Sequence, residues 1–320
     1  MSIVVSTNMQ ALNIQNNLNS ATDAMNKSMK RMSTGFKINQ ASDDAAGMAV
    51  STSLETQISG TKQATQNAQI GSNLLSTSEG TLGTIQTNVS RIRDLIEQAA
   101  NGTSSQSAKT AARTEIVQRL NEINRQAKGS NFNGTDLFNS AAGKAGTNGI
   151  ALQVGSGSSD ITNVIQLDKS LFKDATASSL GAGLSITTTN SAGNLTTTGG
   201  FTAAAINLVF GADDGTGAAS TTATMATAVT NLLNMADNAL ADISNRKTNI
   251  GAYQNRLTSA EASLTVSQTN LSAANSTIKD ADVAEESANY VKNQILQSAS
   301  TSLLTQANSQ PQIALQLIKG

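Results

Sequence analysis

The stretch VTNLLNMADNALADISNRKTNIGAYQNRLTSAEASLTVSQTNLSAANSTI, from Val229 to Ile278, decides the fold. Every seventh residue in it is apolar: Val229, Ala236, Ile243, Ile250, Leu257, Leu264, Leu271 and Ile278. A second track lies three residues further on, at Leu232, Ala239, Arg246, Tyr253, Ala260, Ser267 and Ala274. Apolar residues spaced alternately by three and four form one narrow stripe on a helix, and a strict seven-residue repeat makes such helices supercoil. At 1.5 Å per residue the stretch is a rod about 75 Å long. A rod with so narrow a seam requires a partner of similar length.

The partner lies upstream. Leu54, Thr61, Ala68, Leu75, Leu82, Val89 and Ile96 continue the seven-residue step until Asn101-Gly102-Thr103, a turn signal. This rod is about 65–70 Å long by the same rise. A shorter helix follows, with Ala112, Ile116, Leu120, Ile123 and Ala127 on one face and Gly129 at its end. Two thinner amphipathic helices are expected at the chain ends. The first carries Ala11, Ile14, Leu18, Ala21, Met25 and Met32 and breaks at Ser33-Thr34-Gly35; the last carries Ala284, Ala288, Val291, Ile295 and Ala299. Ser42-Asp43-Asp44 offers an N-cap, with acidic residues in the first turn of the next helix.

Between Ser130 and Thr222 the helical period disappears. Ile150–Val154 and Ile161–Leu167 read as a hairpin, Ser185–Gly200 as Thr- and Gly-rich loop, and Ala203–Phe210 as a further strand. The fold class is therefore mainly α: long coiled-coil rods from both chain ends around a small central β-hairpin and loop region. The expected division is 1–42 as a terminal helix, 43–140 as long helices, 141–222 as the surface-exposed middle, 223–277 as the second long rod and 278–320 as the other terminal helix.

Composition narrows the function. The 320 residues carry a net charge of -1, which gives no argument for nucleic acid or an acidic membrane surface. There is no Cys and no His, so disulfides, thiolate nucleophiles, histidine bases and the usual zinc ligands are excluded. A histidine-free chain has no H-E-x-x-H metallopeptidase helix either. No cofactor is expected and no enzyme. No run of about 18 apolar residues exists to span a membrane, and the N-terminus lacks the basic and apolar regions of a secretory signal. Asp43-Asp44 is better explained as a cap than as a catalytic pair, because adjacent helix residues do not face each other. Met25, Met29 and Met32 read as adaptable packing, not as metal ligands.

Several motifs now carry a family resemblance. Asn8, Leu12 and Leu18, then MSTGFKINQASDDAAGMAVS (Met32–Ser51), VSRIRDLIEQAANGT (Val89–Thr103), TEIVQRLNEINRQA (Thr114–Ala127) and FNGTDLF (Phe132–Phe138) resemble the N-terminal region of bacterial flagellins. NIGAYQNRL (Asn249–Leu257), Asn270–Asp282 and QANSQPQIALQLI (Gln306–Ile318) resemble the flagellin C-terminal region. The hook–filament junction protein shares the plan but usually has a proline after its paired aspartates; this chain has Asp43-Asp44-Ala45-Ala46-Gly47.

The resemblance implies an extracellular structural subunit, exported through the flagellar type III apparatus and polymerised into the swimming filament. It implies as partners other copies of the chain, an export chaperone at the C-terminal helix, and the filament cap and hook–filament junction proteins. Ile14, Leu18 and Met25 are expected to pack with Ala284, Ala288, Val291 and Ile295 during self-assembly, because these thin stripes are poorly buried in a monomer. By the same resemblance Arg91, Leu95 and Glu115 match contacts of the vertebrate Toll-like receptor that senses flagellin, with Ser90 replacing the Gln often found beside the Arg. Thr187, Thr188, Thr189, Ser191, Thr196, Thr197 and Thr198 are the candidate O-glycosylation sites.

Overall fold

A computed structural model describes residues 8–139, 149–155, 157, 163–180, 185–189, 195–199, 206, 210 and 222–319. Helix α1 spans Met9–Thr34; the Asn8 side chain caps it by accepting from the Ala11 amide, and Gly35 ends it at φ 74°. The left-handed turn favours glycine, whose amide donates back to the Arg31 carbonyl. Helix α2, Ala45–Ala100, begins after Asp44, which accepts from the Gly47 amide. Both aspartates therefore precede the helix; neither lies in its first turn as the sequence suggested. Asp43 instead turns back, accepting from the Asn39 and Gln40 amides and pairing with Lys27 at 3.1 Å.

Helix α3, Gln106–Gly129, is capped by Ser105. A tight hairpin follows: β1 (Asn131–Phe132) pairs with β2 (Thr135–Asp136) across Asn133-Gly134, both at positive φ, as a two-residue turn of this kind requires. β3 (Ile150–Gln153) and β4 (Val164–Leu167) form the expected antiparallel hairpin, Leu152 opposite Ile165. A 3-10 turn at Lys169–Phe172 and the one-turn helix α4 (Ala177–Leu180) come next. β5 (Ser185–Thr189) and β6 (Leu195–Gly199) pair antiparallel with Thr187 opposite Thr197. The sequence reading made this segment a loop; its threonines, residues of high β propensity, form a ladder instead. Ile206 and Phe210, assigned to a strand by sequence, are helical and buried; the rest of 203–210 lies outside the described residues. Helix α5, Thr222–Lys279, and helix α6, Val283–Lys319, complete the chain.

The chain divides into two compact units, residues 1–59 with 267–320 and residues 60–266. The boundaries fall inside α2 and α5. In the 60–266 unit, α2 runs antiparallel to α3 through Asn88–Arg119 and Thr81–Ser130, and antiparallel to α5 through Arg93–Asp237, Gln86–Lys247 and Glu79–Gln254. The seven-residue tracks meet there: Leu75, Leu82, Val89 and Ile96 are buried with Ile116 and Ile123 and with Ala236, Ile243, Ile250 and Leu257. Each large side chain so buried stabilises the unit by about 1.5–3 kcal/mol.

Much of the middle of the chain belongs to the same core. Leu152, Ile165, Leu167, Leu171, Phe172 and Leu180 are buried in it, so the described part of 150–180 contributes one apolar side to the core. Gly71 lets the β3 hairpin approach α2; a Cβ there would meet the Leu152 side chain. Arg246, on the apolar track of α5, is only 4% exposed. It donates to the Lys173 carbonyl at 2.6 Å and pairs with Asp242. The arginine thus ties the segment after the 3-10 turn onto α5.

Candidate assembly surface

The 1–59/267–320 unit contains α1 and α6, packed antiparallel. Cross-links run from the Asn8 side chain to the Ala307 carbonyl, from Gln297 to Thr22, from Ser287 to Met32, and from Arg31 to Glu286 at 2.7 Å. On α1 the sheltered residues include Ala11, Ile14, Leu18, Ala21, Met25, Ser28 and Met32, which follow a seven-residue alternation, with Thr22, Ala24 and Arg31 beside them. On α6 they are Glu286, Tyr290, Asn293, Gln297, Ser300, Leu304 and Ala307, with the same spacing but mostly polar.

Within one chain the two stripes expected to pack during self-assembly do not face each other. Ile14, Leu18 and Met25 do face α6, but Ala284, Ala288, Val291 and Ile295 point away from α1. Val291 is 51% exposed and Ile295 63%. With Ser287, Lys292 and Leu296, three of them line a groove of about 610 Å³ on the free side of α6. Polar satisfaction favours the rotation: turning the apolar stripe inward would break Arg31–Glu286 and the bonds to Thr22 and Met32.

Charge reinforces this rotation. Burial of Glu286 pushes its carboxyl up, but hydrogen bonds from Arg31 and Ser28 outweigh burial and hold it below the usual glutamate range. Lys27 lowers Asp43, and Lys279 lowers Glu55. The two connectors beside these groups are joined directly. Phe36 bridges Asp280, the Lys37 amide donates to the Lys279 carbonyl, and the Ala281 amide donates to the Gly35 carbonyl. The Lys279 ammonium sits 4.7 Å from the centre of the Phe36 ring while pairing with Glu55. Sequence reading missed this clamp; a lone aromatic directly after a helix-ending glycine was its only signal.

In the 60–266 unit, Arg91 pairs with Glu115 at 3.0 Å and Arg119 pairs with the same carboxylate. Both arginines lower Glu115, Arg91 most. Leu95 does not join them on the surface: it is 2% exposed, in the core with Ile92 and Ile96. Thr187, Thr188 and Thr189 lie on β5 and Thr196, Thr197 and Thr198 on β6, while Ser191 is outside the described residues. Among the described residues no helix is long and apolar enough to cross a membrane.

Known proteins match this sequence over nearly its whole length. A profile described as the bacterial flagellin N-terminal helical region matches residues 5–142, and one for the C-terminal helical region matches residues 233–318. A flagellin of Bacillus subtilis is 34% identical, the alignment covering 98% of this chain and 99% of that one. The polar flagellin F of Vibrio parahaemolyticus is 31% identical, with 99% and 100% covered. A flagellar filament core protein of Brachyspira hyodysenteriae is 30% identical over the same shares. The crystal structure of Bacillus cereus flagellin is 27% identical, covers 66% of this chain and 94% of its own, and superposes with a TM-score of 0.42.

Proposed function

The chain belongs to the bacterial flagellin family and is a structural subunit of the extracellular flagellar filament, and from that premise we propose that the free face of α6 is what drives its polymerisation. The observation that carries this is the outward stripe of Ala284, Ala288, Val291 and Ile295, left uncovered while Ile14, Leu18 and Met25 brace α6 from behind. Adjacent copies of the subunit cover the stripe, each large apolar side chain contributing about 1–2 kcal/mol. Residues 1–42 and 278–320 act as the assembling ends, 43–140 and 223–277 as the supporting helices, and 141–222 as the segment between them. Polymerisation of purified protein, followed by light scattering and microscopy, tests the reading. Ile295→Asp should abolish filament growth while leaving the monomer's helical content intact, and normal filaments from that variant would defeat it.

The family is a structural one, and the remaining partners are inferred from it. Export through the flagellar type III apparatus, an export chaperone on the C-terminal helix, and end contacts with the cap and junction proteins all follow from membership. The hook–filament junction protein is not favoured as an alternative identity. For the vertebrate Toll-like receptor the proposal rests on Arg91 and Glu115, whose exposed ion pair offers charge at a helix–helix boundary. Arg91→Ala in monomer should reduce receptor activation at least about tenfold, the loss of a contact worth ~1.4 kcal/mol. An unchanged response in a reporter assay would remove Arg91 from the contact. Buried Leu95 contributes by holding the helix in place.

A further inference from the structure

Four methionines lie on α1, two of them on its α6-facing side. Six of the chain's eight methionines fall within residues 1–48, and with no cysteine present they are its only sulfur. The α1 side of the seam has four large apolar members, Ile14, Leu18, Met25 and Met32, so thioethers supply half of them. Met25 and Met32 are half-buried, and the Met32 sulfur accepts the Ser287 hydroxyl at 3.4 Å. Met9 and Met29, by contrast, are 56% and 46% exposed on the outer side of the same helix. Half-burial matters chemically: the seam sulfurs remain reachable by a small oxidant while they contribute to the packing of α1 on α6.

We propose that Met25 and Met32 form an oxidation-sensitive site, converted to sulfoxides by peroxides outside the cell, that decides whether α1 stays zipped to α6 and the subunit can polymerise. The inference rests on the assembly role of α6 argued above. In the step itself a thioether lone pair attacks a peroxide oxygen. The S–O bond forms, the O–O bond breaks, and water or an alcohol leaves; sulfur is oxidised by two electrons and the peroxide is reduced. The product makes polar two of the four large side chains on the apolar, α1 side of the seam, beside Ala11, Ile14, Leu18 and Ala21 and opposite a mostly polar α6. The seam shelters little apolar surface, so two such changes are a large fraction of what holds it closed.

The test compares wild type, Met25→Leu/Met32→Leu and Met9→Leu/Met29→Leu, each treated as full-length monomer with hydrogen peroxide. Leucine conserves volume and cannot be oxidised, so both double variants should fold. Mass spectrometry locates the sulfoxides, circular dichroism reads the helices, and light scattering gives the critical concentration for polymerisation. Oxidised wild type and oxidised Met9→Leu/Met29→Leu should lose helicity and need about tenfold more protein to polymerise. Met25→Leu/Met32→Leu should resist, and methionine sulfoxide reductases should restore wild type. Equal sensitivity of Met25→Leu/Met32→Leu, or normal polymerisation of wild type oxidised at both seam sulfurs, would overturn the proposal. If untreated wild type fails to polymerise, the assembly reading fails instead, and helicity alone then decides whether oxidation opens the seam.

Discussion

Single residues hold this molecule together in two different ways. Asp43, Glu55 and Glu286 each have a carboxyl lowered by a cation on another segment. A lowered folded-state value adds stability above the ordinary carboxylate range near 4 and withdraws it as pH falls through the lowered values. Helicity of α1 and α6 should therefore hold from pH 7 to about 5 and fall below about 4. Glu286→Gln should weaken the pair at pH 7 and flatten that fall, as an acid titration by circular dichroism would show. Arg246 is the buried counterpart. Arg246→Ala leaves the Lys173 carbonyl without its donor and should cost on the order of 2–3 kcal/mol in urea unfolding. Leu95 stands apart from Arg91 and Glu115, the other two positions that the resemblance groups with it. Four residues from Arg91 it shares a helix face in projection, yet Ile92, Leu95, Ile96 and Ala99 are all buried. α2 touches both α3 and α5 there, which widens its buried arc beyond a single stripe. Leu95→Ala should thus lower stability by about 2–5 kcal/mol, so any lost receptor signal must be checked against unfolding.

At the scale of elements, the helices differ sharply in what shelters them. Ala21 and Ser28 are the only fully buried residues of α1, whereas α3 alone buries five apolar side chains. Local opening is easiest where little apolar surface is covered. In monomer, amides of α1 and α6 should exchange with deuterium far faster than those of α3 or of α5 around Ile243–Leu257, and in filaments they should become protected. Uniformly slow exchange in the monomer would contradict the idea that these helices are completed by assembly. Removing residues beyond Leu303 takes away Leu304 and Ala307, two sheltered positions of the α6 seam. That truncation should stop polymerisation while sparing the 60–266 unit.

For the whole molecule, the region between the two long helices decides what the filament surface looks like. Residues 150–180 are spent on the core of the 60–266 unit, which leaves the β5–β6 hairpin as the described remainder. A filament of this subunit should accordingly be thin and smooth in electron micrographs. The hairpin's threonines also remain the proposed attachment points for O-glycans. Intact mass of filament protein should exceed the 32.8 kDa of the bare chain by whole sugar units, and a mass equal to the bare chain would exclude glycans from that preparation.

The sequence by itself determined the five long helices, about where they stop and which way most of them face. Period-seven tracks, the break at Ser33-Thr34-Gly35 and the α3 stripe are local patterns, and a local pattern fixes an element without reference to its neighbours. Tertiary structure alone decided three further matters: which face of α6 turns inward, that Leu95 is core, and that residues 150–180 pack against the helices. Each is a choice between partners distant in the chain. Glu286 finds Arg31 across 255 positions and Arg246 finds the Lys173 carbonyl across 73. Apolar stripes on α6 and thin strands in the middle of the chain read alike whether they are covered or bare. Only the requirement that every buried charge and carbonyl find a partner selects between those outcomes.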